Sequence, residues 1–214
     1  MQTHKSSGYT IVELSIAVTL LAVILGAALT VMKQGEQNFK QTMSTTVANT
    51  KGNRAINTIA RELSGAGQTT LVPVVVSPFS SGTISFQSVS GWDGAPTWST
   101  ESELRFQPDP RDPNNGLDDD NDGFVDEGEV LLITDKGGVD ERQTVLIRRV
   151  QALLEGELPN GLDDNGNGLI DETGFCIEHL VGGNGLTIRL SVLRKQPGND
   201  VDVHTVETTV WLRN

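Results

Sequence analysis

Two stretches of the chain set acidic side chains at alternate positions ahead of a glycine: NGLDDDNDGFVDE at residues 115–127 and NGLDDNGNGLIDE at residues 160–172. Eight of the thirteen positions are identical. Alternate carboxylates carried round a glycine turn bring their oxygens to one point, which suits a hard cation taking about six to eight oxygens at roughly 2.3–2.6 Å. Left alone, the same carboxylates repel one another. Two copies are too few for a solenoid, which needs at least about three stacked units, so they read as two similar loops. Acid–base catalysis would need only two carboxylates and explains the spacing less well. No G-x-S-x-G elbow, P-loop, H-E-x-x-H or paired zinc-ligand spacing is present, and His4, His179 and His204 are far apart. An enzyme is not expected.

In the first stretch Asp118, Asp120, Asp122, Gly123 and Glu129 satisfy the full D-x-[DN]-x-[DN]-G-x₅-E spacing of a calcium loop. The assignment is Asp118, Asp120 and Asp122 as side-chain ligands, Phe124 through its carbonyl, Asp126 directly or through water, and Glu129 as the closing carboxylate, with Val125 pointing inward. In the second stretch Asp163, Asn165, Asn167, the carbonyl of Leu169 and Asp171 fall in matching places, but Gly174 stands where the last glutamate belongs. Glu172, matched by Glu127 in the first loop, is the alternative closing group, which leaves Glu127 and Glu129 both open for the first site. EF-hands flank such loops with helices, whereas these lie between strands, so only the loop resemblance carries over. One Ca²⁺ site and a second, weaker one are expected. A single cysteine, Cys176, excludes an internal disulfide, and calcium would brace long connections in its place.

The loops must be held by the elements around them. From Leu71 onward short β-like runs alternate with Gly, Pro, Asn and Asp: 71–76, 83–89, 103–107, 130–134, 144–150, 175–181, 186–193 and 201–212. Asp135-Lys136-Gly137-Gly138 and Gly182-Gly183-Asn184-Gly185 are turn sequences. An antiparallel meander follows, and the stretch from Pro78 to Thr100, with Trp92 and Trp98, reads as loop whose rings anchor it. Before the sheet, Phe39, Met43, Val47, Ala48, Ala55, Ile56, Ile59, Ala60 and Leu63 recur at helical steps, with Gly35 and Gly52 as candidate bends and Gly65-Ala66-Gly67 as a stop. The fold class is α+β, a long N-terminal helix on an antiparallel sheet.

The run from Tyr9 to Met32 is apolar except for Glu13, and as a helix at about 1.5 Å per residue it covers the roughly 30 Å core of a bilayer. A secretory signal peptide has a shorter apolar centre, about 7–15 residues, with its cleavage site on the far side. A carboxylate inside such a span needs a partner, the interface or a purpose. Lys5 lies on the side expected to stay cytoplasmic.

The segment Gly8-Tyr9-Thr10-Ile11-Val12-Glu13-Leu14 resembles the prepilin motif of type IV pilins and type II secretion pseudopilins. That resemblance implies cleavage by a prepilin peptidase after Gly8 and methylation of the new N-terminus at Tyr9. It also implies that Glu13 meets the N-terminal amine of a neighbouring subunit during assembly. Tyr9 replaces the more usual phenylalanine, and the helix-kinking proline of many major pilins is absent between Gly8 and Val72, which favours a minor pilin or pseudopilin. NRAINTIARELSGAG resembles the end of the long helix in minor pilins of the PilW type and in J-type pseudopilins.

The implied division is a leader at 1–8, a membrane or filament-core helix at 9–32, its amphipathic continuation at 33–66, and a β-rich head at 67–214. The expected function is a minor type IV pilin with a calcium-stabilised head. The alternatives are a type II secretion minor pseudopilin and, in another class, a membrane-anchored calcium-dependent adhesin or receptor. Expected partners are other pilin or pseudopilin subunits, the prepilin peptidase and, before assembly, the inner membrane, with the head in the periplasm and then in a pilus or pseudopilus. A net charge of −12 without any basic cluster speaks against nucleic acid.

Overall fold

The apolar run and the amphipathic stripe after it form one helix, α1 (Ile11–Ser64, 54 residues), in a computed structural model that describes residues 9–182, 184–196 and 200–212. Neither Gly35 nor Gly52 interrupts it. By packing, the chain divides into Met1–Met43 and Ser44–Asn214. Within the first unit the described side chains of the helix are exposed, Phe39 included. Phe39 and Met43, expected to pack, are exposed.

In the second unit the helix buries Ala48, Gly52, Ala55, Ile56, Ile59 and Leu63, a stripe at three- and four-residue steps. Gly52 sits there because the backbone must come close: a Cβ would meet the side chains of Val192 and Val206 at 3.4–3.7 Å. The helix ends as Gly65 and Ala66 donate back to the carbonyls of Glu62 and Leu63.

A short 3₁₀ turn (Gln68–Thr70) leads, among the described residues, into nine strands: β1 Thr83–Phe86, β2 Val89–Trp92, β3 Pro96–Trp98, β4 Ser102–Pro108, β5 Gly128–Thr134, β6 Arg142–Val150, β7 Phe175–His179, β8 Gly185–Lys195 and β9 Val201–Trp211. Seven form one antiparallel sheet ordered β1-β4-β5-β6-β8-β7, with β9 on β8. Ile56, Ile59 and Leu63 form one core with Ile84, Phe86, Leu104, Val130, Phe175, Ile177, Leu186, Ile188 and Leu190. Truncating one such side chain to alanine costs about 2–5 kcal/mol.

The run 71–76 is not a strand. Only isolated bridges, Val72 to Ser85 and Val76 to His179, tie it to the sheet, because Pro73 has no amide to donate to a ladder. Conversely, β2 and β3 form a separate two-stranded ribbon inside the stretch read as loop. Trp98 covers Gly67, while Trp92 is 75% exposed, since no layer lies over the ribbon.

Each acidic stretch leaves the sheet and returns to it. The first joins β4 to β5, whose ends pair as Pro108 with Gly128. The second is an excursion along one edge of β8. There β6 pairs through Val150 with Val192, the chain leaves, and β7 resumes with Phe175 opposite Leu190.

Candidate functional site

The first acidic loop is built by backbone amides that donate to its own carboxylates. Asp118 accepts from Asp122 and Gly123 N–H at 3.1 and 2.8 Å, Asp120 from Asp122 N–H at 3.0 Å, and Asp122 from Phe124 N–H at 3.1 Å. Gly123, at φ +84°, makes the turn that a side chain would strain. The ligand-capable oxygens of Asp118, Asp120 and Asp122 lie within 4.8 Å of one another, as do those of Asp109, Asp120 and Glu127. Two oxygens on opposite sides of a calcium ion are up to about 5 Å apart, so both groups are of the right size.

Glu127 is the unusual member. It is 1% exposed and no guanidinium or ammonium pairs with it; its side-chain partner is the carboxyl of Asp112, with which it shares a hydrogen bond. Burial first, and then that hydrogen bond, push its pKa up to about 8. Asp112, also buried, is instead held below the usual carboxylate range by the amide of Asp119, which it accepts together with that of Asp126. Arg111 grips Asp109 through two bonds of 3.1 and 2.7 Å, keeping that carboxyl low, and reaches Asp120 at 3.2 Å. Arg149 donates to Asp122 at 2.8 Å. These half-exposed guanidiniums take oxygens at the rim, and none pairs with Glu127. A buried glutamate without a cationic partner, set among three other carboxylates, fits a divalent cation.

The second loop repeats the backbone scheme 45 residues on. Asp163 accepts from Asn167 and Gly168 N–H at 3.1 and 2.9 Å, Asn165 Oδ1 from Asn167 N–H, and Asn167 Oδ1 from Leu169 N–H. The match runs beyond the thirteen residues. Asp109 N–H donates to Glu127 carbonyl as Leu154 N–H donates to Glu172 carbonyl, both at 2.9 Å. Glu157 stands for Asp112 and accepts the amides of Asp164 and Asn165. Buried Phe124 corresponds to buried Leu169, and buried Glu127 to buried Glu172.

Several expected roles move. Asp126 and Asp171 turn away from the loop centres and accept the amides at Asn115 and Gly116, and at Asn160 and Gly161, closing each loop's first turn. Glu129 lies in β5, where Gln107 donates to one oxygen at 3.0 Å and Arg148 to the other at 3.2 Å. The group facing the carboxylates is Glu127. Val125 is exposed, and Phe124 is the inward side chain. At Gly174 no side chain fits, because a Cβ would run into the Gln151 carbonyl. Asp109, Asp112 and Glu157 were not read as site residues. The signal for them was the 45-residue register continued upstream to 109 and 154.

At the other end of the chain, Thr10 and Glu13 form a capping box. Glu13 accepts from Thr10 N–H at 2.9 Å and from its hydroxyl at 3.0 Å, while Glu13 N–H donates to Thr10 Oγ1 at 3.2 Å. Glu13 therefore has a local partner one turn from Tyr9, which is exposed. Gly8, the expected cleavage residue, and the leader lie outside the described residues. The model of the prokaryotic N-terminal methylation motif matches residues 3–29. That match supports the type IV pilin and pseudopilin family for this chain. Among curated proteins and among solved structures none matches it.

For a pilin-class subunit, the rest of α1 has a plain reading. It is the one described helix long and apolar enough to cross a membrane, with a mean hydropathy of 2.5 over its best window, and it fits inner-membrane anchoring followed by assembly. Ile11, Leu14, Val18, Leu21 and Leu25 are exposed in the single chain, an apolar surface suited to lipid and to the helices of other subunits. The class is one of structural subunits, generally without enzymatic activity.

Proposed function

We propose that the chain is a minor type IV pilin, cleaved after Gly8 and assembled through its N-terminal helix, whose head is braced by calcium at the loop of residues 109–127. The absence of a proline between Gly8 and Val72 supports a minor role. The observation that carries the calcium reading is Glu127, buried without a cationic partner beside Asp109 and Asp120. Asp118, Asp120, Asp122 and Glu127 would hold the ion, with the Phe124 carbonyl available to it. The ion would supply positive charge that lets all four carboxylates ionise together. Asp126, Asp112 and the glycine turn keep the loop shaped for it, and Arg111 and Arg149 screen its rim. A type II secretion minor pseudopilin shares the processing and the helix, and the end of α1 resembles both groups.

The test is the N-terminal mass of the protein from native membranes, with and without prepilin peptidase, combined with its location in sheared surface filaments or in the periplasm. A chain starting at N-methylated Tyr9, found in surface filaments and lost from them as E13A, supports the pilin. Processed protein confined to the periplasm and needed for protein export supports the pseudopilin. An intact Met1 would overturn both and leave an anchored calcium-dependent receptor.

A further inference from the structure

In the second loop the side-chain amides of Asn165 and Asn167 stand where the first loop has carboxylate oxygens, and they point at the buried glutamate. Asn165 Nδ2 donates to Glu172 Oε1 at 3.2 Å and to the Glu155 carbonyl at 3.1 Å, and Asn167 Nδ2 donates to the same Glu172 oxygen. The orientation of both amides is set by the backbone. Each Oδ1 accepts the N–H two residues on, at 2.9 and 2.8 Å, which turns each nitrogen toward Glu172. In the first loop Asp120 and Asp122 accept the same backbone bonds with one oxygen. Their other oxygens face Arg111 and Arg149 and have no proton to give Glu127.

We infer that the second loop is closed by its own asparagine amides in place of a cation, so that each head carries one calcium-dependent loop and one that holds its shape without calcium. The inference rests on the calcium reading of the first loop only for the contrast between them. The charge inventory agrees. The first loop gathers Asp109, Asp112, Asp118, Asp120, Asp122 and Glu127, whereas the corresponding residues of the second are Leu154, Glu157, Asp163, Asn165, Asn167 and Glu172. Three of its six carboxylates are thus gone. The second-loop glutamate is also held by two side-chain amides on one oxygen, whereas Glu127 meets only the carboxyl of Asp112. One oxygen each on Glu157 and Glu172 still lacks a partner, which is what would draw a second ion if the amides did not suffice. Asn165 and Asn167 are therefore the residues that decide whether this backbone takes a cation.

The experiment is calcium titration calorimetry on the full chain in detergent, with thermal melts alongside. Wild type should bind one Ca²⁺, D118A/D120A none, and N165D/N167D two. Two ions on wild type, or one retained by D118A/D120A and lost in D163A, would overturn the inference. No binding by wild type would sink the first-loop reading alone. N165D/N167D would then still decide the second loop, a gained ion supporting the inference and no gain overturning it. Where N165D/N167D fails to fold, N165A/N167A replaces it: a lower melting temperature, by the same amount with calcium and with chelator, supports an amide brace, and an unchanged melt overturns it.

Discussion

The two acidic loops share a backbone and differ in chemistry. Asp118 and Asp163 gather the same amides, Asp126 and Asp171 close the same first turns, and Gly123 and Gly168 take the same positive φ. Shape is therefore fixed by oxygen acceptors that Asp and Asn provide equally well. The loops differ at positions 120 and 122 against 165 and 167, where a side-chain amide nitrogen either answers the buried glutamate or is missing. On the reading proposed above, only this second difference concerns metal.

The largest effects should come from the buried anchors. Phe124→Ala and Leu169→Ala each remove a core side chain and should cost about 3–5 kcal/mol in denaturant unfolding. The contrast predicts that L169A keeps the calcium-induced gain in stability while F124A loses most of it. Equal loss in both variants would mean that the loops act as one unit.

Calcium removal comes next. At a free concentration about 100 times the dissociation constant the ion contributes about 2.7 kcal/mol, and chelation should take this away as a lower melting temperature. The drop should vanish in D118A/D120A and persist in N165A/N167A. Persistence in D118A/D120A would break the comparison.

Without calcium, pH should act on the first loop. Burial raises Glu127 to about 8, so between about 4.5 and 8 the folded chain holds a proton that the unfolded chain releases. Stability from this group is then present at low pH and lost as pH rises through that window. Melts in chelator should show the decline in wild type and a flatter profile in E127Q. A variant as steep as wild type would assign the decline to another group.

The smallest effect lies in the turns. Alanine at Gly168, φ +88°, should cost about 1 kcal/mol for backbone strain alone. At Gly123 the same strain is joined by a collision with the Lys195 side chain, which reaches over the Phe124 ring at 5.5 Å. G123A should therefore be the more destabilising by a few tenths of a kcal/mol or more. Equal melting temperatures would show that Lys195 moves aside freely.

Much of this was legible in the residues. The length and polarity of the first run, the Ala48 to Leu63 part of the stripe expected from Phe39, and the runs 130–134, 144–150, 186–193 and 201–212 depend on local patterns, and each falls in an element of the expected kind. The ribbon at 89–98 was missed because Gly91 and Gly94 read as loop while its pairing is between neighbours. In the loops the carboxylate trio was plain, but the closing residue was not. Glu129 already lies in β5, which begins at Gly128, and there Gln107 and Arg148 take both its oxygens, whereas Glu127 precedes the strand and stays with the loop. The Thr10–Glu13 capping box was written in the spacing and went unread because Glu13 was assigned wholly to assembly.

The bonds that close each loop at its base give it a portable character. Residues 109–127 begin and end on one hydrogen bond, and so do residues 154–172, so each loop has its entrance and exit side by side. Removing 154–172 would leave β6 and β7 aligned along β8 as a single edge, Val150 opposite Val192 and Phe175 opposite Leu190. The second loop is in this sense a cassette spliced into one strand. A protein engineer has in this chain two inserts of one shape on one frame.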